Sequence, residues 1–121
     1  KNKKICFLGV TFKANTDDMR DSSSLSMIPS LVKKGAKINY FDPTGEKDDF
    51  KKLKNVTFSS NINSAIKDSD LIIIHTEWND FKSINFKKVV NKKNFAIFDM
   101  RNIYSPIKMK NLKIKYFGVG R

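Results

Sequence analysis

Two cations, two aromatic rings and an acid stand just past the ends of three apolar runs. Phe12 and Lys13 follow "KICFLGV", Glu77 and Trp78 follow "DLIIIHT", and Arg101 follows "FAIFD". A lysine and an arginine neutralise a diphosphate, and flat rings cover a base or a sugar. Together they describe a site for a nucleotide. Each residue also has an ordinary reading. Phe12 taken alone reads as core and Lys13 as a solvated side chain. Trp78 either touches a ligand or packs its loop against the sheet edge. Their joint placement carries the functional reading. The stretch "GVTFKANTDDMRDSS" from Gly9 to Ser23 adds Arg20 among three aspartates. Arg20 can pair with Asp17 or Asp18 to brace the loop, and Asp21 and Ser22 read as helix N-caps.

Other chemistries find little footing. The first strand is followed by neither a G-x-G-x-x-G turn nor a P-loop. Asp42 ends the second apolar run where a ribose-binding acid would stand, but with Pro43 after it a strand-ending turn is the better account. His75 is the only histidine. It has no neighbouring base or metal partner and reads as structural. Cys6 lies inside the first run, as a small buried hydrophobe. No spacing of Cys and His suits a metal. The chain therefore offers binding residues without catalytic or metal-ligating ones, and is expected to hold a ligand for chemistry performed elsewhere.

The elements that must position these residues follow from periodicity. Lys4–Val10, "AKINYFD", Val56–Phe58, "DLIIIHT", "FAIFD" and "KIKYFGV" read as strands. Leu71–Ile74 run without a polar break, as in a parallel strand covered on both faces. Ser22–Lys34 has helical spacing, with Pro29 inside it as a kink or first-turn residue and Gly35 as its stop. Shorter helices are expected in "NINSAIKDSD", "INFKKVVNK" and "SPIKMKNL", and a short helix or loop in "FKKLK". Strand and helix thus alternate about six times. This predicts a single α/β domain with a doubly wound, mostly parallel sheet and helices on both faces. Right-handed crossovers then bring the three loops to one rim, where open parallel sheets bind ligands.

With 121 residues the chain is one ordinary domain, and 40% hydrophobic content argues against disorder. No apolar run reaches the roughly 20 residues of a membrane span, so no membrane partner is expected. One cysteine and no secretory segment fit a cytoplasmic setting. The net charge of +12 is mostly lysine scattered in short groups. That pattern makes a solvated surface more than a nucleic-acid groove. A strand opens at the first residues with no leader before it, so the chain is expected to be one domain of something larger.

The segments "GVTFKANTDDMRDSSSL", "KKGAKINYFDP", "SDLIIIHTEWNDFKSINF" and "FDMRNIY…MKNLKIKYFGVGR" occur in that order. Together they resemble the C-terminal domain of the UDP-glucose/GDP-mannose dehydrogenase family, over essentially the whole chain, 1–121. "FKANTDDMRDS" and "DMRNIY" look most like the members that oxidise UDP-glucose. The resemblance implies a Rossmann-like domain that closes over a nucleotide-sugar. It implies a larger, homo-oligomeric enzyme, with an N-terminal domain for NAD and a helical middle segment carrying the catalytic cysteine. Such enzymes oxidise a primary alcohol twice with two NAD, through a cysteine-bound thiohemiacetal and thioester. Cys6 does not match that cysteine. Phe12 and Lys13 match the family's Phe-Lys pair and Arg101 the arginine of its D-x-R-N segment, both contacts to the nucleotide-sugar. Glu77 and Trp78 match the T-E-W segment at the site edge. Arg20 matches an arginine directed at NAD. Met100 stands where the family most often has glycine.

Other readings stay open on the sequence. Related domains serve UDP-N-acetylhexosamines and GDP-mannose. A stand-alone nucleotide-binding module would share the same rim. A nucleic-acid-binding domain would need its cations in one stripe with interleaved aromatics, whereas many lysines here fall on helix faces away from the rim.

Overall fold

The structure, a computed structural model, describes residues 3–120. In chain order it contains β1 (Lys4–Leu8), α1 (Ser24–Lys33), β2 (Lys37–Phe41), α2 (Asp48–Lys51), β3 (Val56–Phe58) and α3 (Ile62–Ile66). These are followed by β4 (Leu71–Ile74), a 3₁₀ turn (Asn79–Phe81), α4 (Phe86–Val89), β5 (Ala96–Asp99), α5 (Pro106–Asn111) and β6 (Lys115–Gly118). The six strands form one sheet in the order β3-β2-β1-β4-β5-β6, and every neighbouring pair is parallel. The predicted mostly parallel sheet is thus wholly parallel, with the Rossmann strand order.

Side-chain alternation divides the core into two layers. Cys6, Leu8, Ile72, Ile74 and Ile97 face α3, α4 and α5, which contribute Ala65, Ile66, Phe86 and Met109. Ile5, Phe7, Ile38, Tyr40 and Ile73 face α1 and α2, which contribute Ile28 and Phe50. Burying each large aliphatic or aromatic side chain is worth about 1.5–3 kcal/mol. The central strands β1 and β4, only 5 and 4 residues long, therefore hold because both of their faces are covered.

The start of α1 departs from the sequence reading. The helix starts at Ser24, and neither Asp21 nor Ser22 is its N-cap residue. That position falls to Ser23, whose side chain makes no cap bond. Pro29 lies inside the helix, as expected, at its sixth residue and on an exposed position. The C-terminus behaves as expected. Gly35 has φ +99°, its N–H donates to the Val32 carbonyl at 2.9 Å, and the Ala36 N–H reaches back to Leu31 at 3.1 Å. This pattern needs the left-handed conformation that glycine adopts freely.

Candidate functional site

The strand order reverses between β1 and β4, and in such sheets the crevice lies beyond the carboxyl ends of those strands. Register aligns the ends: Leu8 pairs with both Phe41 and Ile74, and Ile74 pairs with Asp99. The loops carrying Phe12, Glu77 and Arg101 therefore leave from one rim.

The loop after β1 is held in shape by its own polar groups. Gly9 turns with φ +79° and passes so close to the loop after β4 that an added Cβ would lie 2.6 Å from the Thr76 Cβ. The Thr76 hydroxyl donates to the Thr11 carbonyl at 3.0 Å. The Val10 N–H donates to Asp42 Oδ2 at 2.9 Å, and the Val10 carbonyl accepts the hydroxyls of Ser22 and Ser24, each at 2.6 Å. The serines at the α1 entrance thus fasten the loop to the helix. Further along, the Phe12 N–H donates to the Asp18 carbonyl at 2.9 Å. Phe12 is 45% exposed, not core, and Lys13 is exposed beside it.

Arg20 takes the bracing role foreseen for it, with Asp18 as partner. Its Nε and Nη2 donate to the two carboxylate oxygens at 3.1 Å each. The guanidinium beside Asp18 holds that carboxyl below its usual range. The Arg20 side chain is still 88% exposed, so the pair adds little to stability. What it does is hold a cation outward on a short loop.

In the loop after β4 the structure favours the packing reading of Trp78. Trp78 is only 7% exposed and belongs to the core layer of α3, α4 and α5. Its ring packs the loop against the sheet and is not presented on the rim. Its Nε1 has no partner among the described residues. Glu77 is exposed. His75 is structural. Its Nε2 lies 2.8 Å from the Ser23 hydroxyl and its Nδ1 3.2 Å from that of Thr76. Burial, and then the Arg101 charge, lower its pKa to about 4, so it is neutral at pH 7.

Arg101 ties the three loops together. Its N–H donates to Asp99 Oδ1 at 3.1 Å, its Nε to the His75 carbonyl at 3.1 Å, and its Nη2 to the Phe12 carbonyl at 3.2 Å. Arg101 therefore stands on the same rim as Lys13, bonded to the residue before it. It remains exposed, and its other N–H groups can serve an anion. Sequence reasoning missed the group that builds this turn. Asp99 is fully buried, and its Oδ2 accepts the Tyr104 N–H at 3.0 Å and the Tyr116 hydroxyl at 2.7 Å. An acid that closes an apolar strand was the available signal, and Asp42 repeats it at the end of β2. Met100 has no positive φ, and its side chain packs against the α1–α2 layer. Glycine is not required there.

The rim can neutralise phosphates with Lys13 and Arg101 and cover a ring with Phe12. It does not form a dinucleotide site of its own. Both oxygens of Asp42 are engaged, Oδ2 by Val10 and Oδ1 by the N–H and hydroxyl of Thr44 at 2.9 and 2.5 Å. Among the described residues no group of His, Cys, Asp and Glu is placed to hold a metal ion. No helix among them is long and apolar enough to cross a membrane. Cys6 is fully buried and burial pushes its thiol pKa up, so it is inert.

The UDP-glucose/GDP-mannose dehydrogenase family, UDP binding domain, matches residues 6–106. UDP-glucose 6-dehydrogenase of Rickettsia prowazekii is 37% identical over 99% of this chain and 28% of that enzyme. The Rhizobium meliloti UDP-glucose 6-dehydrogenase is 33% identical over 100% of this chain and again 28% of the enzyme. The chain thus spans little more than a quarter of these relatives. Among solved structures, the NDP-N-acetyl-D-galactosaminuronic acid dehydrogenase of Methanosarcina mazei superposes with TM-score 0.84 at 26% identity, over 99% of this chain and 25% of that one. A UDP-glucose dehydrogenase of Pyrobaculum islandicum, at 23% identity and TM-score 0.75 over 98% of this chain and 26% of that one, shares the fold. With the family pattern running from β1 into α5, the chain belongs to the UDP-glucose/GDP-mannose dehydrogenase family, as its UDP-binding C-terminal domain.

Proposed function

We propose that residues 1–121 form the nucleotide-sugar-binding domain of a larger UDP-glucose 6-dehydrogenase, an enzyme that converts UDP-glucose to UDP-glucuronate with two NAD. The carrying observation is the Arg101 guanidinium bonded to the carbonyls of Phe12 and His75. It draws the β1 and β4 loops together and leaves Lys13 beside it. In this reading Lys13 and Arg101 neutralise the diphosphate, Phe12 lies along a ring of the ligand, and Glu77 borders the sugar. Trp78 supports the loop from beneath. The family is NAD-dependent. NAD supplies the hydride acceptor, and Arg20 is the residue of this chain that would meet its charge.

The domain contributes position rather than chemistry. Remote contacts to the nucleotide hold the sugar carbon near a nucleophile on another segment, and closure over the ligand excludes water from the acyl intermediate. Alone the chain binds and does not catalyse. UDP-glucose is favoured over N-acetylhexosamine and mannose nucleotides by the 37% and 33% identities to UDP-glucose enzymes.

Lys13 gives the cleaner test, because Arg101 also holds the loops. A charge-assisted bond is worth roughly 1.5–3 kcal/mol, or about one to two powers of ten in affinity. In the full-length enzyme Lys13→Ala is expected to raise KM for UDP-glucose by that factor at an unchanged melting temperature. An unchanged KM removes Lys13 from the site.

A further inference from the structure

Lysines that are scattered along the chain gather at one edge of the fold. Every strand is parallel to its neighbours, so all the amino ends share the edge opposite the nucleotide rim. Backbone hydrogen bonds join the strand entrances side by side. The Ile38 N–H donates to the Asn55 carbonyl at 2.8 Å, the Lys37 N–H to that of Lys3 at 2.9 Å, the Asp70 N–H to that of Lys4 at 2.8 Å and the Ala96 N–H to that of Asp70 at 3.0 Å. Lys115, opposite Ala96, completes the edge. Lys3, Lys4, Lys37, Lys54, Lys93 and Lys115 at these entrances are all exposed.

The acids lie at the other end. Of the 12 acidic residues, only Asp68 and Asp70 stand among the strand entrances, and Lys92 already holds Asp70 at 3.0 Å. The acids between Asp17 and Asp49, then Glu77, Asp80 and Asp99, lie at or after the carboxyl ends of β1, β2, β4 and β5. Lysines that close helices, such as Lys33, have a structural reason, because a helix carboxyl end favours a cation. The strand-entry lysines have none. Lys4 and Lys37 are direct register partners, and like charges placed opposite one another destabilise a sheet. Strands lie about 4.8 Å apart, well inside the Debye length of about 8 Å at physiological salt. The charges therefore act as one field along an edge about 24 Å wide.

The side-chain chemistry selects the partner. Lysine is depleted at protein–protein interfaces. Nucleic-acid surfaces add stacking aromatics and base-reading arginines to their cations. Here Arg20, Arg101 and the exposed Phe12 belong to the rim, and the cations of the strand entrances are all lysine. Compact ammonium charges spread over a broad edge suit anionic lipid headgroups, which move sideways to meet them.

We propose that this edge docks the enzyme reversibly on an anionic bilayer by charge alone, with the lysines against the headgroups and the nucleotide rim turned toward solvent. Such attachment needs no membrane-spanning segment. The proposal is independent of the nucleotide reading of the rim.

Co-sedimentation of the full-length protein with lipid vesicles tests it. Binding is expected to phosphatidylcholine vesicles containing about 30% phosphatidylglycerol at about 0.1 M salt, with release at about 0.5 M. Pure phosphatidylcholine vesicles should bind none. Each lysine near such a surface is worth about five-fold in affinity. Lys37→Glu with Lys115→Glu should therefore weaken binding at least about twenty-fold. Lys82→Glu with Lys108→Glu changes the net charge equally, from a hollow beside Tyr104, and should weaken binding less than about three-fold. No binding to the anionic vesicles, or equal losses from the two pairs, overturns the proposal. Binding of a random DNA duplex that is tighter than vesicle binding and depends on Lys37 and Lys115 assigns the edge to nucleic acid and overturns it as well.

Discussion

Gly9→Ala probes the spacing of the β1 and β4 loops, on which the whole rim depends. Gly9 has φ +79°, and an alanine Cβ would meet Thr76 Cβ at 2.6 Å, its Oγ1 at 2.8 Å and its backbone N at 3.2 Å. The left-handed conformation costs a non-glycine residue roughly 1–2 kcal/mol. Relieving the overlap requires Thr76 to move, and Thr76 is fully buried. Overpacking of that kind costs about 1–3 kcal/mol, and loss of the Thr76–Thr11 bond about 1 kcal/mol more. The sum, roughly 3–6 kcal/mol, is a large part of a domain's usual 5–15 kcal/mol. The melting temperature followed by circular dichroism should fall by more than about 10 °C. A companion change discriminates the cause. Thr76→Ser keeps the offending Cβ and should rescue nothing in the Gly9→Ala background, whereas Thr76→Gly removes it and should restore part of the loss. A Gly9→Ala protein melting within about 3 °C of the parent would refute the close approach.

Asp99→Asn keeps the side-chain size but puts an amide where carboxylate oxygens accept three donors. Leaving buried donors unpaired costs about 1–3 kcal/mol each, so urea unfolding should show a loss of about 2–4 kcal/mol, with weaker nucleotide binding through a displaced Arg101. His75 is expected to set an acid limb of stability. Its folded pKa of about 4 lies below the unfolded 6.5, so the unfolded state binds the proton first and stability falls as pH drops from about 6.5 to 4. The full effect is about 3 kcal/mol. Urea midpoints against pH should show this limb, and His75→Gln should flatten it. Arg20→Ala should leave the melting temperature within about 2 °C, since the Arg20–Asp18 pair is solvent-exposed, while raising the KM for NAD in the full-length enzyme.

The strands were legible because parallel strands covered on both faces are apolar without interruption, as in Leu71–Ile74. Alternation of strand and helix then fixed the layers and placed three loops on one rim. What the letters hid was direction. A tryptophan after a strand can face the rim or the core, and here Trp78 folds inward beneath its loop. A serine before a helix can cap it or hold another strand's carbonyl. Ser22 and Ser24 hold that of Val10, and the helix starts at Ser24. An arginine on a rim looks like a ligand contact, yet two of the Arg101 bonds go to backbone carbonyls of other loops. Asp99 was overlooked because a buried acid announces itself only through its partners. The short 3₁₀ turn at Asn79–Phe81 follows from burying Trp78 and Phe81 within a few residues of each other, a demand of the tertiary core and not of local propensity.

The account depends most on the rim being where UDP is held. Isothermal calorimetry of the full-length protein against UDP, UDP-glucose, UDP-N-acetylglucosamine and GDP-mannose tests this directly. The expected result is binding of UDP and tighter binding of UDP-glucose, both weakened about ten- to a hundred-fold by Lys13→Ala. Silence toward all four nucleotides, or UDP binding that Lys13→Ala and Arg101→Ala leave untouched, would contradict it.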